Sequence, residues 1–295
     1  MVNNPKQRLK DTSILISVLS RFLRKGSITG EAEVKLITGL LNILLEIMPH
    51  PSYSVSPVVI TRMTKNSSIP GVGTTRITQL KHLIFPPPTS VKKYGRCNIP
   101  GSSVLYSSFH FITNMKEMHT AVGDIVSHSK WRYKTGEAPL KVFPIFFITE
   151  SSKDIHNPIS LDIKIMHDNY INSLTEEEKE YMNTCMEFLA KCFAKEVDLD
   201  NHLDYMLSAH LAHKILFHHD AQYDAILYPS VQDKLGTSNL AITPTAFLSK
   251  FEPEELTHDI LISIRGGGAM FDGIHHTSKF DVQTGIETGT VIWDD

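Results

Sequence analysis

Two apolar stripes at the N-terminus do most to limit what this chain can become. Ile14, Leu15, Val18, Leu19, Phe22 and Leu23 recur at helical spacing. After a break bracketed by Gly26 and Gly30, Val34, Ile37, Leu41, Leu44 and Met48 follow at alternating steps of three and four, a heptad-like seam. Pro49, Pro51 and Pro57 stop the pattern. The spacing predicts an αα-hairpin over residues 1–52 and a main body over residues 53–295. A two-helix hairpin buries one face internally, yet Leu15, Leu19, Leu23, Leu36 and Leu40 widen the apolar surface beyond it. The surplus has to lie on the main body, on another copy of the chain or on a partner. The expectation is a homo-oligomer through the hairpin, most simply a two-fold dimer, with packing on the main body as the alternative.

The main body predicts strands at residues 58–63, 104–108, 140–149, 225–228, 240–243 and 259–265. Helices are expected over residues 113–126, with Thr113 as N-cap, from the capping-box pair Thr175 and Glu178 to about Lys195, and from Asp200 to about His218. Strands and helices mix without a regular βαβ alternation, so the expected class is α+β.

Composition narrows the function. The chain is 41% hydrophobic and 21% charged, an ordinary globular balance. A net charge of −3 argues against a broad basic surface for nucleic acid. Three cysteines make no disulfide scaffold and fit a reducing compartment. No apolar run approaches the roughly 20 residues of a membrane span. Residues 40–48 are interrupted by Asn42 and Glu46, and the short run after Lys6, Arg8 and Lys10 lacks a signal-cleavage pattern. A soluble cytoplasmic protein that engages neither membrane nor nucleic acid is expected.

Several constellations read as structure. Histidines crowd one helix at His202, His210, His213, His218 and His219, but H-E-x-x-H is absent and no clustered cysteine or carboxylate completes a ligand set, so no metal is expected. Cys185 and Cys192 share a helix face and suit packing. Residues 70–75 resemble a phosphate loop without its Gly-Lys-Ser/Thr ending and read as a surface loop. The glycines after Arg265 read as a hairpin turn rather than an anion nest.

Two segments carry chemistry. In residues 95–119, Arg96 is a fixed cation with a planar fork suited to phosphate. Asn98 and Gly101 suggest a tight turn, and Tyr106 lies on the strand that follows. Glu117 is expected in the first turn or so of the next helix, where the dipole favours an ionised carboxylate. A cation, an aromatic and a carboxylate at a strand–helix junction can hold an anionic, aromatic ligand. In residues 223–242 an apolar strand ends in Tyr228-Pro229-Ser230, and Asn239 opens another strand. Ser230 lacks the flanking glycines of a G-x-S-x-G elbow, which speaks against a Ser–His–Asp hydrolase.

In this order, R-x-N-x-x-G, L-Y, a glutamate on a helix, then Y-P-S and N-L-A, the segments resemble the RES domain family. The resemblance spans about residues 58–242. It implies catalytic roles for Arg96, Tyr106, Glu117 and Ser230, and substrate contacts from Asn239 and from Arg62 on the opening strand. It further implies a split mixed sheet like that of ADP-ribosyltransferases, NAD as substrate with no metal, and cleavage of the nicotinamide–ribose bond by a toxin or defence effector paired with an antitoxin or regulator. Water, phosphate or a protein side chain are the acceptors it leaves open, so ADP-ribosylation of a protein stands as an alternative. A non-catalytic NAD-binding module is another. The hairpin, the long stretch between Glu117 and Tyr228 and the tail beyond Thr243 exceed a minimal RES domain.

Overall fold

The computed structural model describes residues 5–24, 28, 30–145, 158–198, 201–218, 220, 222–232, 237–265 and 268–294. The two N-terminal stripes form α1 (Pro5–Arg24) and α2 (Glu31–Ile47). Their apolar faces do not close on each other alone. Leu19, Ile37, Leu41 and Leu44 are buried in one cluster with Phe188, Leu189, Leu211 and Ile215 of α5 (Glu176–Ala194) and α6 (Met206–Phe217). The Tyr181 hydroxyl of α5 donates to the carbonyl of Ile47 at the end of α2. The seam is therefore covered within this chain, while Ile14, Leu36 and Ile43 stay exposed. Thr175 and Glu178 form the expected capping box at the start of α5, and Cys185 and Cys192 are buried free thiols.

Among the described residues the main body is an α+β unit built on a nine-stranded mixed sheet. Its strands are β1 (Tyr53–Val55), β2 (Val59–Lys65), β3 (Leu105–Ser108), β4 (Ile125–Tyr133), β5 (Leu140–Pro144), β6 (Ala225–Pro229), β7 (Ser238–Ile242), β8 (Phe251–Arg265) and β9 (Gly268–Thr277). They run in the order β1-β5-β6-β7-β3-β2-β4-β8-β9, and β5 with β6 is the parallel pair. A separate ribbon pairs β10 (Lys279–Asp281) with β11 (Thr290–Ile292). At the middle of the sheet β2 meets β3 through one residue pair, Thr61 with Ser108. On either side the ladders are longer: β2 with β4 pairs seven positions and β3 with β7 pairs four. The β2–β3 junction is thus the shortest ladder of the sheet. Trp131 and Phe251 pack on Phe247 of α7 (Pro244–Lys250) in a buried cluster that also takes in Leu105, Leu227 and Leu240.

Three expectations are corrected. The helix placed at residues 113–126 is α3 (Phe111–Glu117), seven residues long, and its N-cap is His110 without a side-chain cap. Thr113 is instead buried, donating to the Thr237 hydroxyl. Residues 125–133 are strand β4, because Gly123 turns the chain at φ +94° and the following Val126, His128 and Trp131 are needed inside the sheet. Helix α6 begins at Met206, after a short 3₁₀ turn, not at Asp200, which lies outside the described residues. Helix α4 (Pro158–Asn172) was not legible, and the strand expected to reach Thr149 is described only to Pro144. Arg265 pairs with Gly268 in a β8–β9 hairpin, with residues 266–267 outside the description. Residues 70–75 are turns at the surface, with Gly71 and Gly73 at positive φ.

Candidate functional site

Beside the β2–β3 junction lies a cleft of about 260 Å³ lined by Arg62, Arg96, Tyr106, Glu117, Tyr228 and Asn239. Five of the six residues expected at the site therefore line one cleft, and the sixth, Ser230, reaches it through Glu117. Each comes from a different element, and the sheet register explains the meeting. Asn239 on β7 stands opposite Tyr228 of β6 on one side and Ser108 of β3 on the other, with Ser230 one residue past β6.

Glu117 is the last residue of α3, not in its first turn. The correction matters because a helix C-terminus carries partial negative charge, so the dipole opposes a carboxylate there. Direct donors take its place. Ser230 Oγ donates to Glu117 Oε1 at 2.6 Å, and Asn239 Nδ2 donates to the same oxygen at 2.8 Å. Bonds to an ionised acceptor are short and roughly twice as strong as neutral ones. Ser230 is fully buried, and the bond its Oγ makes here is the one it donates to Glu117.

The two arginines differ. Arg96 is buried, its Nη1 donating to the carbonyls of Phe193 and, at 3.1 Å, Lys195 at the end of α5. The guanidinium also stacks over Tyr205, 5.1 Å from the ring centroid. It caps a helix whose terminal carbonyls lack intrahelical partners, and so spends part of its fork on the fold. Arg62 spans the β2–β3 junction. Its Nη1 donates to the carbonyl of Tyr106 at 3.0 Å, and its Nε is buried with no hydrogen-bond partner. Burial lowers its pKa to about 10, which leaves it charged at neutral pH. The charged side chains on the cleft, two guanidiniums and one carboxylate, sum to one positive charge, a balance suited to an anion.

Tyr106 is held by its hydroxyl. The group accepts from the backbone N–H of Cys97 at 2.7 Å and donates to Asn98 Oδ1 at 2.8 Å. Burial pushes this phenol well above its ordinary pKa, as it does Tyr228. Gly95 completes the socket: a Cβ there would stand 2.4 Å from Asn98 Oδ1 and 2.8 Å from the Tyr106 hydroxyl. The R-x-N motif thus builds a seat for the tyrosine. The sequence reading treated Asn98 as a turn residue and missed Tyr205, Tyr228 and Asn114 on the cleft. Tyr228 was visible as part of Y-P-S, whereas nothing local marked Tyr205 or Asn114.

Among the described residues no three His, Cys, Asp or Glu side chains gather to hold a metal ion, and no helix is long and apolar enough to cross a membrane. No protein-family model matches the chain, and no curated protein matches it.

Proposed function

We propose that the protein consumes NAD, breaking the bond between nicotinamide and ribose as a glycohydrolase or phosphorylase. The observation that carries this reading is the doubly donated Glu117 carboxylate in a cleft that also holds Arg62, Arg96 and Tyr106. The RES-like order of these residues supports it, and the single-pair junction of β2 with β3 supports an ADP-ribosyltransferase-like fold.

In this reaction the C1′–N bond breaks with its electron pair going to the ring nitrogen. Nicotinamide leaves neutral, and the ribose becomes an oxocarbenium-like cation captured by water or phosphate; with water, a proton is released. Glu117 stabilises the positive charge as it develops, and no described residue bonds its Oε2. Ser230 and Asn239 fix the carboxylate, a preorganised geometry that needs no rearrangement in the transition state. The Tyr106 hydroxyl is committed to Cys97 and Asn98, so the ring is what this residue offers to nicotinamide. Arg62 and Arg96 both line the cleft and offer their positive charge to the diphosphate. The cleft is smaller than the ~300–1,000 Å³ that encloses a drug-sized ligand, so it takes the nicotinamide riboside half with the rest along the rim.

The protein would act in the cytoplasm as a toxin or defence effector under an antitoxin or regulator. Self-association, if through the hairpin, uses its outer face, where Leu36 and Ile43 stand exposed one heptad apart. Incubation of the pure protein with NAD, followed by separation of products, tests the reading. Free ADP-ribose identifies water as acceptor, a phosphorylated ADP-ribose identifies phosphate, and a labelled protein identifies ADP-ribosyl transfer. NAD left intact under all three conditions overturns it.

A further inference from the structure

The histidines gathered at the start and along the length of α6 do not line the cleft, yet three of them touch the loop that builds it, and two of these hydrogen-bond to it. This loop, residues 94–102, carries Arg96, the Cys97 amide and Asn98. At its first residue the backbone N–H of Tyr94 donates to His202 Nδ1 at 3.2 Å, and the Tyr94 ring stacks on His202 with a centroid separation of 5.9 Å. His210 packs on the same ring at 5.7 Å. At its last residue the Ser102 hydroxyl meets His213 Nδ1 at 3.2 Å, and His213 Nε2 meets His218 Nε2 at 3.2 Å. Between these ends the loop bonds to itself, by Gly95 with Asn98 and by Ser102 with Ile99, and to its surroundings through Arg96 on the end of α5 and through Cys97 and Asn98 on the Tyr106 hydroxyl.

The Tyr94 bond fixes the protonation of one ring. A ring nitrogen that accepts from a backbone N–H carries no proton, so His202 is the neutral Nε2–H tautomer. Around His213 the chain can run from His218 Nε2–H to His213 Nε2 and from His213 Nδ1–H to Ser102 Oγ, or in the reverse direction, and either suits a neutral ring. Burial, followed by the neighbouring His218, His210 and Lys214, pushes His213 down to about 4, in keeping with that state.

We infer that His202 and His213 are positioning residues, neutral imidazoles that fix the two ends of the 94–102 loop and so hold Arg96 and Tyr106 in the cleft. They act through Tyr94 and Ser102 and touch no ligand themselves. The consequence for turnover rests on the proposed NAD reaction; the consequence for loop order does not.

Amide hydrogen exchange of residues 94–102 and NAD turnover, measured on the same preparations, separate the two. The single variants His202→Ala and His213→Ala carry the test, with His202→Asn as the conservative control because its Oδ1 can accept from the Tyr94 N–H. Each alanine variant is expected to speed exchange at the Cys97 amide about fivefold, the size of one hydrogen bond lost, while α5 and β4 keep wild-type protection. Turnover is expected to fall with it, and His202→Asn to restore both. Unchanged exchange in the loop overturns the inference, as does a uniform rise across the whole domain, which would mean a general packing role. A loosened loop with wild-type turnover also overturns it. If the wild-type protein leaves NAD intact, the functional reading falls, and the exchange pattern alone decides whether the histidines hold the loop.

Discussion

Ser230 Oγ donates to Glu117 Oε1 at 2.6 Å, joining two residues 113 positions apart in the chain. Asn239 donates to the same oxygen, and so the end of α3 is tied to the strands β6 and β7. The carboxylate sits where its own helix disfavours charge, and these donors are what fix it there.

Glu117→Gln removes the charge while keeping the shape. NAD consumption is expected to fall by about 10²-fold or more, the scale of a lost electrostatic stabiliser, with NAD binding retained in calorimetry. Wild-type turnover in this variant would remove Glu117 from the catalytic role.

Ser230→Ala deletes one of the two donors on Glu117. A hydrogen bond to a charged group contributes about 1.5–3 kcal/mol, so turnover is expected to drop roughly 10- to 100-fold at saturating NAD. A serine nucleophile would instead lose activity entirely, and single-turnover assays without a covalent adduct on wild-type protein check the difference.

Arg96→Lys keeps the charge and loses the fork. Lysine cannot bridge the Phe193 and Lys195 carbonyls while stacking on Tyr205, so the end of α5 is expected to loosen. The expected cost is about 2 kcal/mol in denaturant unfolding. Weaker NAD binding with unchanged stability would instead make Arg96 a ligand clamp alone.

Gly95→Ala drives a methyl group into Asn98 and the Tyr106 hydroxyl. Overpacking costs about 1–3 kcal/mol, and the tyrosine seat is expected to break with it. A crystal structure of the variant with Tyr106 unmoved would contradict the socket.

A chain beginning at residue 52 loses α1 and α2. Leu211 and Ile215 of α6 would then face water where Ile37, Leu41 and Leu44 cover them now. Cooperative thermal unfolding by circular dichroism is expected to vanish. A truncated protein that melts sharply would show that the hairpin is an independent appendage.

Acid is expected to destabilise the fold through His128. Burial holds this imidazole at about 4, below its ordinary value. Between pH 6.5 and 4 the unfolded chain binds a proton that the folded protein refuses, so stability falls as pH falls through that window. The loss is about 2–3 kcal/mol for this one group, and His128→Gln is expected to flatten denaturant midpoints over the same range.

Local pattern determined a good deal by itself. The steps of three and four gave both N-terminal helices, and Thr175 with Glu178 marked the start of α5, because periodicity and capping act within a few residues. The order of Arg62, Arg96, Tyr106, Glu117, Ser230 and Asn239 marked the candidate site for the same reason, since each sits in a short recognisable string. Tertiary structure decided what those strings do. The 125–133 segment became a strand because β2 and β8 flank it, an influence no local window contains. The position of Glu117 within α3 depended on where the helix stopped, and its partners depended on β6 and β7 pairing at one register. The hairpin's apolar seam was plain in the sequence, but its destination on α5 and α6 was set by which apolar surfaces the rest of the fold leaves uncovered. Hydrophobic burial is non-directional, so a stripe specifies that a face must be covered and leaves the covering partner to the rest of the chain.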